Sequence, residues 1–152
     1  MKVMKFGGTC LGNSTMISKV EEVIEKEKEE KVIAVSAVAG VTNQLIDFID
    51  RFHKDEEIEA FVDEIRKGHM KLLPQPLSGY EKDQEALEHR LQKLLTLLYG
   101  VSYTEEITPR TRDLIVVTGE RLSAVILAAR LKARKINAAA FNSEDIGIVT
   151  DG

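Results

Sequence analysis

Cysteine is nearly absent. Cys10 is the single one in 152 residues, so an intrachain disulfide and a zinc site built from several thiolates are both excluded. Long apolar runs are missing too. No stretch approaches the roughly 18 to 20 residues that span a bilayer, and the first apolar run breaks at Gly7. Neither a membrane anchor nor a secretory leader is expected, and a reducing cytoplasm is the expected setting. Basic charge is not in excess: 21 Lys and Arg against 25 Asp and Glu give a formal net charge of −4. Phosphate contacts need clustered cations, which argues against a dedicated nucleic-acid binder. His53, His69 and His89 lie far apart and show no metal-ligand spacing. Internal repeats and low-complexity linkers are absent.

What is there reads as one globular domain with a real core, with 43% hydrophobic and 30% charged residues. Near its start stands Lys5-Phe6-Gly7-Gly8-Thr9-Cys10, directly after the apolar Val3-Met4. Two glycines without Cβ atoms let backbone approach a bulky ligand. Their amides can face anionic oxygens, and Lys5 adds a positive charge on the same loop. This is a candidate phosphate site, although a plain tight turn beside a solvated lysine reads the same way. It is not a Walker A loop, whose Gly-x-x-x-x-Gly-Lys-Ser/Thr spacing is absent.

Along the chain, residues 14–30 carry a helical period through Met16, Ile17, Val20, Val23 and Ile24, with Ser14 as the expected N-cap. Residues 32–36 form a continuous apolar run, typical of a parallel strand buried on both faces. A small-residue loop follows over 36–43, and the helical period returns through Leu45, Ile46, Ile49 and Phe52. From 56 to 100 the pattern is almost wholly helical. One stripe holds Ile58, Phe61, Val62 and Ile65; the other holds Leu87, Leu91, Leu94, Leu95 and Leu98. Pro74, Pro76 and Gly79 separate them, which predicts an αα-hairpin. Strands are predicted at 2–6, 114–117 and 136–141 as well, with a helix over 121–134, a polar turn at 142–145 and a closing stretch over 148–152. Strands alternating with helices imply a parallel sheet. Ligands in such sheets lie outside the carboxyl ends of the strands, where the Gly7-Gly8, 36–43 and 118–120 loops would converge.

Three blocks carry a family resemblance: Lys5-Phe6-Gly7-Gly8-Thr9, then Val35-Ser36-Ala37-Val38-Ala39-Gly40-Val41-Thr42-Asn43, then Thr118-Gly119-Glu120-Arg121-Leu122-Ser123. In order and spacing they resemble the aspartokinases of the amino-acid kinase superfamily. The resemblance implies a three-layer αβα sandwich with a mostly parallel sheet, of the carbamate-kinase-like type. It makes residues 1–152 the N-terminal lobe of a kinase domain, with a helical insertion at about 44–107. It also implies ATP-dependent phosphorylation of L-aspartate to 4-phospho-L-aspartate, at the head of lysine, threonine and methionine biosynthesis. ATP would be the co-substrate, with Mg2+ expected and no tightly bound cofactor. Carried over by motif, Lys5 is the catalytic charge and, with Gly7 and Gly8, binds the ATP phosphates. Ser36, Thr42 and Glu120 bind the substrate, Glu120 accepting from its α-ammonium. A helix-capping role for Glu120 is the competing reading.

Two departures stand out. Cys10 replaces the family's usual serine, exchanging a good hydrogen-bond donor for a weak one. The resemblance also covers only the first part of a kinase domain: the α-carboxylate arginine, the nucleotide lobe and the regulatory ACT domains find no counterpart in these residues. Either these residues are a fragment of a longer enzyme, or a homo-oligomer or a partner chain supplying the missing lobe is expected; the 152 residues alone are expected to fold without useful turnover. A non-catalytic binding or assembly module is the alternative. Another amino-acid kinase would fit the glycine loop but not the 36–43 block.

Overall fold

The computed structural model describes residues 1–50 and 54–148. Phe52, His53 and the stretch from Val149 onward fall outside the described residues. Strand β1 (Lys2–Phe6) leads through a 3-10 turn (Gly8–Leu11) into helix α1 (Ser14–Lys26), which returns the chain to β2 (Lys31–Val35). The two strands pair in parallel, Lys2 opposite Lys31 and Phe6 opposite Val35. Helices α2 (Val41–Ile49), α3 (Asp55–Met70), α4 (Glu81–Thr104), α5 (Pro109–Val116) and α6 (Thr118–Ala133) follow, with a second 3-10 turn at Ser143–Ile146. This is a mixed α/β fold with a parallel pair of strands, as expected. Among the described residues no helix is long and apolar enough to cross a membrane.

The core forms where the apolar stripes of the helices meet. Leu87, Leu91, Leu94 and Leu98 of α4 are buried together with Ile58, Val62 and Ile65 of α3 and with Leu122, Ile126 and Ala129 of α6. The predicted hairpin is thus present, and its stripes face inward. Phe61 stacks on Phe48, centroids 4.0 Å apart, and ties the hairpin to α2. Asn13, not Ser14, caps α1: its side chain accepts from the Met16 amide at 3.0 Å. The cap sits one residue earlier because Ser14 is already helical.

Two predicted strands are not formed. Leu114 to Val117 is helical, the end of α5 and its junction with α6. Thr108 caps that helix by accepting from the Thr111 amide at 3.1 Å, and Pro109 occupies its first turn, where a missing N–H costs nothing. A four-residue apolar run cannot by itself tell strand from helix; here the cap decides. Residues 136–141 form no strand either. Their exposure alternates as in an extended segment, with Ile136, Ala138 and Ala140 half-buried. However, a groove of about 760 Å³ is lined by both this segment and β2, with Ala124, Leu127 and Leu131 of α6 also facing it. The segment therefore has no ladder partner. Nor is β2 covered on both faces among the described residues. Met4, Phe6, Ile33 and Val35 pack on the core, while Val3 and Val32 of the other face are exposed.

One polar network crosses the core. Glu21 of α1 is buried and binds Arg130 of α6 and Arg134 at the C-cap of that helix. Arg130 also donates to Ser18 Oγ at 3.1 Å. Because both helices begin beside the strand ends, this network sets their mutual placement.

Candidate functional site

At the carboxyl end of β1 the backbone turns through Gly7, the N-cap of the first 3-10 turn, with Gly7 at φ −78°, ψ 165°. The Cys10 amide donates back to the Gly7 carbonyl at 3.0 Å. Lys5 is exposed, and its Nζ lies 3.9 Å from the position a Gly7 Cβ would take. The ammonium therefore folds over the glycine turn. Among the described residues it has no carboxylate within salt-bridge distance. A free cation above a glycine turn can meet an anion.

The second loop is docked on the first. Ser36 extends the strand pairing by donating its amide to the Phe6 carbonyl at 3.1 Å. A Cβ on Gly8 would come within 2.5 Å of the Ala37 carbonyl oxygen. Only glycine admits that approach, so Gly8 is required by loop-to-loop packing whatever its amide binds. Gly40 takes the left-handed conformation, φ 87°, and caps α2. Thr42 then stands in the first turn of α2 rather than in the loop, half-buried.

The third block joins from α6. A Cβ on Gly119 would lie 2.7 Å from Ala37 Cβ and 3.3 Å from Val41 Cγ1, so this helix start presses against the second loop. The expected strand-turn-helix is instead a helix-helix junction, with Val117 ending α5 and preceding α6. Thr118 Oγ1 donates to the Leu114 carbonyl across that junction at 3.2 Å. Glu120 occupies the first turn of α6, and its Oε2 is buried with no hydrogen-bond partner. A mere cap would turn its oxygen to free amides. Arg121 points elsewhere, to Glu144 at 2.5 Å, and ties the second 3-10 turn to α6.

The structure thus brings the Gly7-Gly8 turn, the 36–43 loop and the start of α6 into contact, with Lys5 above the first of them. Ala37, for which no role is expected from its residue type, is the shared contact of Gly8 and Gly119. Its only signal in the sequence is that it is small. Ser123 was also missed: it is 2% exposed, with its hydroxyl unpartnered one turn beyond Gly119. Among the described residues no three His, Cys, Asp or Glu side chains gather in a metal-binding group.

Comparison with known proteins agrees with this architecture. The chain is 29% identical over 97% of its length to a chloroplastic bifunctional aspartokinase/homoserine dehydrogenase 1 of Arabidopsis thaliana. It is 30% identical, again over 97%, to chloroplastic aspartokinase 1 of the same plant. It spans only 17% and 26% of those relatives, respectively. The fold matches that of E. coli aspartokinase III in complex with aspartate and ADP, with a TM-score of 0.77 and 24% identity. That match covers 94% of this chain and 31% of the other. The model of the amino acid kinase family matches residues 1–152, and the chain belongs to that family.

Proposed function

We propose that this chain is the substrate-holding N-terminal lobe of an aspartokinase, with the helical insertion at about 44–107 as part of the lobe. The observation that carries the reading is the contact of the three loops: Gly8 on Ala37, Ala37 on Gly119, and the Lys5 ammonium over Gly7. A dianionic amino acid and a polyphosphate repel each other, and the site offers what offsets that repulsion. In this reading a side-chain carboxylate oxygen of L-aspartate attacks the γ-phosphorus of ATP. The bond to the β,γ-bridging oxygen breaks, and ADP and 4-phospho-L-aspartate leave. Catalysis of this kind is positioning plus charge stabilisation. Lys5 neutralises charge on the transferring group, and the Gly7 and Gly8 amides face the ATP phosphates. The Ser36 and Thr42 hydroxyls hold the aspartate, and Glu120 accepts from its ammonium.

Among the described residues no three His, Cys, Asp or Glu side chains gather at one place; Mg2+ would enter with the ATP phosphates, which supply part of its ligands. The lobe that binds the rest of the nucleotide lies outside these residues. The free thiol of Cys10 suits the reducing cytoplasm proposed as its location.

Titration of the purified chain, followed by amide chemical shifts, tests this. L-Aspartate should perturb Ser36, Thr42 and Glu120, and ATP should perturb Gly7 and Gly8. Shifts confined to other surfaces, or none at millimolar ligand, would overturn the reading.

A further inference from the structure

Helical serines and threonines usually donate to the carbonyl four residues back. In this chain Ser18, Thr96, Thr104 and Thr118 all do so, at 2.7–3.2 Å. Ser123 stands in the middle of α6 with the Gly119 carbonyl in the equivalent place, yet its hydroxyl has no partner. It is also 2% exposed. A buried hydroxyl without a partner forfeits a hydrogen bond unless something else accepts or donates. Glu120 Oε2 on the same helix is another orphan. Glu120 and Ser123 are three residues apart and so share a face of α6. Ser123 also lies four residues beyond Gly119, on the face pressed against Ala37 and Val41. Two unpartnered polar atoms thus lie one turn apart on α6, whose start packs against the second loop.

We infer that one ordered water bridges Ser123 Oγ and Glu120 Oε2. This makes Ser123 a positioning residue that aims the carboxylate at the ammonium of the bound amino acid. A water needs two to four polar partners to stay buried, and the carboxylate, the hydroxyl and the incoming ammonium supply three. The site then selects substrates bearing a primary ammonium through a hydroxyl that never touches them. This rests on the reading of Glu120 as the ammonium acceptor.

The test compares L-aspartate with succinate, which has the same two carboxylates and no ammonium, by chemical-shift titration of the chain. Ser123→Ala should weaken L-aspartate about tenfold, the scale of a hydrogen bond to a charged group, and leave succinate unchanged. Ser123→Cys, close in size with a weaker donor, should fall between. A purely structural role would weaken both ligands equally, and equal loss would overturn the inference. So would unchanged aspartate affinity in Ser123→Ala while Glu120→Gln abolishes the preference for L-aspartate. If Glu120→Gln leaves that preference intact, the reading of Glu120 fails, and this inference with it.

Discussion

Gly7 and Gly8 are neighbours in sequence, yet adding one methyl group to each should have opposite effects. At Gly8 a Cβ would sit 2.5 Å from the Ala37 carbonyl oxygen and 3.4 Å from the Ala39 amide nitrogen. An ordinary carbon-oxygen contact is about 3.3 Å, so the two loops would have to part by about 0.8 Å. Both sides are backbone at the ends of paired strands and have no rotamer through which to escape. Overpacking of this kind costs about 1–3 kcal/mol. A value near 2 kcal/mol lowers the melting temperature of a domain this size by about 4–8 °C. At Gly7 the nearest atom is the mobile Nζ of Lys5 at 3.9 Å, and φ −78°, ψ 165° suits alanine. There Gly7→Ala should be neutral or gain about 0.4–1 kcal/mol by restricting the unfolded chain. Thermal melts of the two variants, followed by circular dichroism, decide it. Gly8→Ala melting at or above the parent would refute the argument, as would Gly7→Ala falling equally far.

His69 is buried, its Nδ1 2.7 Å from the Ile65 carbonyl and its Nε2 without a partner. Burial pushes its pKa below the ordinary 6.5, against a smaller upward pull from that hydrogen bond. The folded state thus favours the neutral ring. Its contribution is complete above about pH 6.5 and is lost as pH falls toward the lower folded value; urea midpoints from pH 7.5 to 5.5 should show this loss, and His69→Leu should remove it. Glu21→Ala leaves two guanidinium groups facing a buried gap, at a cost of about 3 kcal/mol; a loss under about 1 kcal/mol by urea unfolding would show that water replaces the carboxylate. Tyr99 donates to Glu59 at 2.7 Å, and this bond heads the causes that push its pKa up to about 12. In Glu59→Gln the phenolate absorbance should appear closer to pH 10.0.

The helices were legible because their stripes are long: Leu87 to Leu98 spans three turns, and no strand pattern competes with it. The approach of the three loops was read from strands ending at one sheet edge; the contact is there, but the third loop is a helix-helix junction and follows no strand. Leu114 to Val117 was misread because four apolar residues satisfy both periods, while the Thr108-Pro109 start signal stood just upstream. Residues 136–141 carry a strand's alternation, but a strand requires a partner, and a pattern within one segment cannot report whether its neighbour is there. Ala37 and Ser123 were invisible for a different reason. Ala37 meets Gly119 more than 80 residues further along the chain, and the burial of an unpartnered Ser123 hydroxyl depends on tertiary packing.

The Glu21–Arg130 network joins positions 109 residues apart, and that separation bears on the order of assembly. Helices α1 and α6 can each form from local contacts within about a microsecond. Joining them requires closing a long loop, whose entropic cost comes before any contact rewards it. The network is therefore predicted to form on the native side of the folding barrier. Loosening it should speed unfolding and leave the folding rate nearly untouched. For this molecule, lifetime once folded and speed of folding are set by different residues. Those that bind α1 to α6 govern the lifetime.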